Sequence, residues 1–151
     1  MATKPPDPAD PFDLARFVDA QQSIYDYADA LRELAAGRKR GHWMWFVFPQ
    51  LRGLGHSAYA QFYGLSGLAE AQAYAAHPLL GARLRECMRQ LAALADTSAE
   101  AVFGPVDALK LRSCLTLFER ADPAEPAYAQ VLQRWYGGAR DARTLALLGS
   151  R

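Results

Sequence analysis

The chain has 151 residues, 51% of them apolar, with 17 basic against 16 acidic side chains. That is enough for one well-filled core and too little for two. A formal net charge of +1 gives no general attraction to nucleic acid or to an anionic membrane, so any affinity for anions has to be local. The N-terminus lacks the apolar core of a signal peptide, and no apolar run approaches the length of a bilayer span; a cytoplasmic protein without membrane contact is expected.

Residues 1–11 contain Pro5, Pro6, Pro8 and Pro11 and few groups able to join a core, so a disordered tail is expected there, with a single domain over 12–151. Asp10 and Pro11 form a cap and first-turn pair for a helix whose apolar face is Leu14, Phe17 and Val18. A second helix follows Ser23, with Ile24, Tyr27, Leu31 and Leu34 on one side, and Gly37 is placed to end it in a left-handed conformation. The aromatic run Trp43–Phe48 is expected to be a short extended or buried segment stopped by Pro49. Ser57 and Ser66 are candidate caps for helices ending near Tyr63 and Ala76, before His77 and Pro78 interrupt the chain.

From Leu80 the periodicity is unambiguous: Leu80, Leu84, Cys87, Met88, Leu91 and Leu94 line one side of a four-turn helix. Thr97 and Glu100 have the spacing of a capping box for a short helix ending at Phe103-Gly104-Pro105. Leu111, Cys114, Leu115 and Phe118 mark the next helix, Tyr128, Val131, Leu132 and Trp135 another, and Leu145 with Leu148 a last short one. No segment beyond residues 43–48 alternates at period two, and a lone strand cannot make a sheet. The fold class is therefore mainly α, one compact helical domain with one short extended aromatic segment. Cys87 and Cys114 fall in helical segments without metal-ligand or CxxC spacing and read as reduced core thiols.

Chemistry concentrates between residues 38 and 57. The string His42-Trp43-Met44-Trp45-Phe46-Val47-Phe48-Pro49-Gln50 is followed by Gly53-Leu54-Gly55-His56-Ser57. From residue 34 to 69 there is no Asp or Glu, while Arg38, Lys39, Arg40 and Arg52 are all positive. Glycines allow close backbone approach, a capped helix start offers N–H groups, and Trp43 or Trp45 could stack on a planar ring; together these suit a phosphate or carboxylate ligand. The pattern is neither a Walker loop nor a dinucleotide fingerprint. Trp43 and Phe46 are also readable as core anchors, and Phe48 reads first as one. His42, His56 and His77 are too irregularly spaced for a metal site, and no metal or cofactor is expected. His56 beside Ser57 reads as a turn or ligand contact before it reads as a catalytic pair. Glu70, Asp107 and Asp141 are the carboxylates nearest to apolar stretches, where burial would make a general acid or base; the alternative for each is a paired or solvated charge.

The string from Gly37 to Gln50 with Gly55-His56-Ser57 resembles the diagnostic motif of an uncharacterised family catalogued as domain of unknown function 1810, whose members often carry the label calpastatin. Phe17 with Ala20-Gln21, Glu70-Ala71 with Tyr74, His77 to Gly81 with Arg83-Leu84, Phe103-Gly104 with Asp107 and Lys110-Leu111, Thr116 to Phe118, and Asp141 with Thr144 match it too, over about residues 12–148. The resemblance implies a mainly helical single domain and no established activity. The calpastatin label does not fit, because such an inhibitor is a disordered repeat chain that folds on its target. A more distant likeness, through the aromatic and glycine-bearing turn and His77-Pro78-Leu79, is to NADAR-type enzymes, which act on N-glycosidic bonds of ADP-ribose derivatives.

Two functions are thus expected. The first is a site for a phosphorylated nucleotide-like ligand of the ADP-ribose type, an anionic small molecule bound by Lys39, Arg40, His42, Trp43, Trp45, Gly55, Ser57, Arg83 and Lys110. If it hydrolyses an N-glycosidic bond, Glu70 or Asp107 would activate water while Lys110 or Arg83 holds the anion. The second is a protein-interaction module in which Trp43 or Trp45 anchors a partner within a cationic rim. Nucleic acid is disfavoured as a partner, because the basic segment is short and the remainder of the chain is balanced.

Overall fold

The computed structural model describes residues 7–23 and 25–149. Ile24 and residues 1–6 of the expected tail lie outside them. Among the described residues there are nine helices and no strand: α1 Ala15–Ser23, α2 Tyr27–Ala35, α3 Met44–Val47, α4 Ala58–Tyr63, α5 Leu68–Ala76, α6 Leu80–Ala93, α7 Ala99–Ala121, α8 Ala127–Tyr136 and α9 Ala142–Gly149. The mainly α fold read from periodicity is the fold observed. None of the described helices is long and apolar enough to cross a membrane.

Helix α7 is the centre of the packing, with α5, α8 and α9 against it; α6 lies against α2, α5 and α8, and α3 is held between α1 and α4. Leu80, Leu84, Cys87, Met88 and Leu91 of α6 all point inward, as their spacing requires. An aromatic chain runs through the core, from Phe17 to Tyr74 at 5.1 Å, Tyr74 to Phe118 at 5.4 Å and Phe118 to Tyr128 at 6.0 Å between ring centroids. Both cysteines are free and buried, and burial pushes the Cys87 thiol up to about 12, as suits a core residue.

Several local starts differ from the sequence reading in instructive ways. The aromatic run is not extended: Val47 N–H donates to Trp43 O and Phe48 N–H to Met44 O, both at 3.1 Å, closing one helical turn. A buried strand without a neighbour would leave its backbone groups unpaired, and a turn of helix pairs them locally. The cap of α7 is Ser98 rather than Thr97, its hydroxyl accepting from Ala101 N–H at 3.1 Å. The cap position of α5 is Gly67, not Ser66. Ser57 does cap α4, accepting from Ala60 N–H, and Gly37 does end α2 with φ of 76°. The expected pair of Asp10 as cap and Pro11 in the first turn is not formed, because α1 starts only at Ala15, past Asp13 at φ 55°; the Asp10 carboxylate still accepts from Leu14 and Ala15 N–H.

The feature that shapes the site is a break inside α7. Gly104 has φ 79° and ψ 164°, a conformation open to glycine, and Pro105 after it disfavours helical geometry at that position. The first segment sends Val102 and Phe103 into the core. The second restarts at Pro105 in a new direction and leaves Val106 and Leu109 exposed.

Candidate functional site

The second segment of α7 forms one wall of a cleft of about 500 Å³ through Val106, Leu109, Lys110, Arg112 and Ser113. Trp45 of α3 and Gln50 also line it, with the turn Leu54-Gly55-His56-Ser57 and Ala60 of α4. Asp141 and Arg143 enter from the start of α9. Gly55 is fixed in this turn by proximity: a Cβ there would lie 2.9 Å from Ala60 Cβ. The volume is that of a small-molecule site, and the lining mixes apolar side chains with a few polar ones, as such sites do.

The lining is unbalanced in charge. Lys110, Arg112 and Arg143 are cations, and Asp141 is the one carboxylate among the lining residues. Asp141 is committed on one oxygen, where Oδ2 accepts from Thr144 N–H at 2.9 Å and Thr144 Oγ1–H at 2.5 Å. Its Oδ1 stands 3.9 Å from Arg112 Nη2. Arg112 Nε is buried and has no hydrogen-bond partner among the described residues. Lys110 Nζ lies 4.2 Å from the centroid of the Trp45 ring, within cation–π range.

Behind this lysine is a charge chain. Asp107 Oδ1 is 3.2 Å from Lys110 Nζ, and Asp107 Oδ2 is 2.8 Å from Lys39 Nζ, which also donates to Gly41 O at 2.6 Å. Burial by itself would raise the Asp107 pKa, but the two ammonium groups hold it below the ordinary carboxylate value. Asp107 is therefore an ionised linker between two lysines and a poor proton acceptor.

Of the residues read from the sequence, Trp45, Gly55, Ser57 and Lys110 line the cleft, with His56 beside them. Lys39, Arg40, His42, Trp43 and Arg83 do not. Trp43 is fully buried and packs edge-on to Phe103 at 6.4 Å, so it is a core anchor with no face for a ligand or a partner. Arg40 and His42 are exposed on the loop before α3. Arg83 is instead used by the fold, donating to Gln21 Oε1 at 3.0 Å and lying over the Tyr27 ring. Glu70 is 2% exposed and lies outside the cleft lining, with Oε2 on Arg16 and Oε1 accepting from both N–H and hydroxyl of Ser66. Its lone pairs serve the fold. Arg52 donates to Gln61 O and Gly64 O and so latches α4.

Three contributors escaped the sequence reading: Arg112, Arg143 and Glu33. Glu33, on α2, accepts from Arg40 N–H at 2.6 Å, Gly41 N–H at 2.9 Å and Trp43 Nε1–H at 3.0 Å, and from the Tyr25 hydroxyl. Burial would raise its pKa, yet these donors bring it down to about 2. The available signal was its position, the last carboxylate before the acid-free stretch. Arg112 and Arg143 lie far from the motif in sequence, and nothing local marks them. Among the described residues no group of three or more His, Cys, Asp or Glu side chains is arranged to hold a metal ion.

The geometry has a close counterpart. The crystal structure of the conserved hypothetical protein Rv1873 from Mycobacterium tuberculosis superposes with a TM-score of 0.90 at 56% sequence identity, covering 93% of this chain and 99% of that one. No curated protein matches the sequence. The family model described as protein of unknown function (DUF1810) matches residues 11–148, which include the residues lining the cleft, and the chain belongs to that family.

Proposed function

We propose that the cleft binds an anionic small molecule of nucleotide-like character, of which ADP-ribose is the type. The observation that supports this most is the set of Lys110, Arg112 and Arg143 facing one partly committed carboxylate in a cleft of about 500 Å³. Cations gathered in a concave, partly apolar site raise the local concentration of anions far more than the net charge of the chain would. Trp45 adds an aromatic surface, and Gln50 a hydrogen-bonding amide, for a base or ribose.

Hydrolysis of an N-glycosidic bond has less support than binding. Such chemistry needs a carboxylate at the reacting carbon with a free lone pair for water. Glu70 and Asp107 lie outside the lining, and Asp141, which is inside it, spends Oδ2 on Thr144. The test is an amide NMR titration with ADP-ribose, NAD and inorganic phosphate in parallel. Saturable shifts confined to residues 45–60, 106–113 and 141–143 are expected. No shift at millimolar ligand would remove the reading.

A protein-interaction role draws on one observation, the exposure of Val106 at 64% and Leu109 at 57% on the cleft rim. Trp43 has no part in it. Salt separates the two readings: a cation-lined site weakens as ionic strength rises, while an apolar contact does not.

A further inference from the structure

We infer that Asp107 is a positioning residue for anion binding: through its bridge between Lys39 and Lys110 it fixes the Lys110 ammonium at the cleft. This inference rests on the cleft being an anion site. Lysine is a flexible four-carbon stem, and a free lysine spreads its charge over many rotamers. Here Lys110 is confined from two directions, by Asp107 Oδ1 at 3.2 Å and by the Trp45 ring at 4.2 Å. The carboxylate is itself immobilised, because its other oxygen is 2.8 Å from Lys39, whose side chain is 8% exposed. Lys39 in turn is anchored by its own backbone, with N–H donating to Val102 O at 2.8 Å and Nζ to Gly41 O. Gly41 N–H ends on Glu33. The basic motif thus acts on the cleft from behind: it supplies no lining cation of its own, and it sets the cation that α7 presents.

The sign of the effect separates positioning from simple electrostatics. Asp107 is a negative charge beside a site for anions, so its removal by charge alone would tighten anion binding. Positioning makes the opposite prediction. Asp107→Asn also strands the buried Lys39, which endangers the fold, so the double variant Lys39→Met with Asp107→Asn is the cleaner test: it removes one charge of each sign and leaves no buried cation unpaired.

The experiment measures affinity for ADP-ribose and for inorganic phosphate in the native chain, Lys110→Ala, the double variant and Asp107→Glu. It is run well below each variant's thermal midpoint, with the Lys110 side-chain resonances followed alongside. Expected are a loss of about tenfold in Lys110→Ala, a loss of about three- to tenfold in the double variant with averaged Lys110 shifts, and partial recovery in Asp107→Glu. Native or tighter affinity in the double variant, with Lys110→Ala still impaired, overturns the positioning role and leaves the site standing. If Lys110→Ala binds as the native chain does, the positioning role fails with Lys110's part in the site; if the native chain itself binds neither ligand, the anion-site reading fails.

Discussion

Arg16 and Glu70 meet at 2.8 Å inside the domain, and the guanidinium has no donor left over. Its Nε–H reaches Phe62 O, Nη1 reaches Phe12 O and Asp13 O, and Nη2 reaches Gly64 O and Glu70 Oε2. One side chain from α1 thereby ties the chain entering that helix to the end of α4 and to the first turn of α5. A buried pair of this kind holds the elements in place through complete satisfaction, and breaking it from one side leaves a charge with no solvent to turn to.

Glu70→Gln is accordingly a stability variant. It is expected to lose about 3 kcal/mol in urea unfolding. Anion affinity of the folded fraction should be unchanged, since Glu70 does not line the cleft. A native unfolding midpoint with lost ligand binding would return Glu70 to the site.

The cations of the cleft and those of the motif should behave differently. Arg143→Ala and Arg112→Ala are each expected to weaken binding of ADP-ribose by about tenfold at low salt, measured by calorimetry, with the native affinity itself falling as ionic strength rises. Arg40→Ala and His42→Ala, on the exposed loop, should stay within about twofold of the native chain. The reverse ranking would place the ligand on the loop instead of in the cleft.

Glu33 should give the fold a distinctive acid response. Its folded pKa of about 2 lies below the ordinary 4.5, so its ionised form is favoured by folding. The stabilisation is fully present above 4.5 and is lost as pH falls through about 2. Urea midpoints of the native chain and Glu33→Gln are therefore expected to differ by a constant amount near neutrality and to converge below about pH 4. A gap that stays constant down to pH 2.5 would show that the carboxylate charge is not what holds the loop.

Gly81→Ala should be costly for a steric reason. A Cβ at this position would lie 2.0 Å from Ala75 O, a backbone atom at the end of α5 that cannot swing aside. The start of α6 would have to move away from α5, at roughly 2 kcal/mol or more in thermal or urea unfolding. Gly37→Ala meets no atom within 4 Å, and its cost should be limited to the strain of its left-handed φ.

The α-helical class was legible because it is a periodic property. Five of the six residues that the spacing names point inward from α6, Leu94 being its half-buried C-cap, and the cap at Ser57 and the stop at Gly37 depend only on neighbours a few positions away. Of the aromatic and glycine-rich motif, Trp45, Gly55 and Ser57 fall on the cleft. What the sequence left open was how each polar side chain is used. Trp43 and Trp45 are two residues apart, yet one is sealed in the core and the other lines the cleft, because a helical turn separates their directions where an extended segment would have aligned them. Glu70 and Asp107 were equivalent carboxylates until packing set Arg16 against one and two lysines against the other. Periodicity and capping are settled by short stretches of chain; the partner of a charge is chosen by elements tens of residues apart, and only their docking around the break at Gly104 brings Lys110, Arg112 and Arg143 to one cleft.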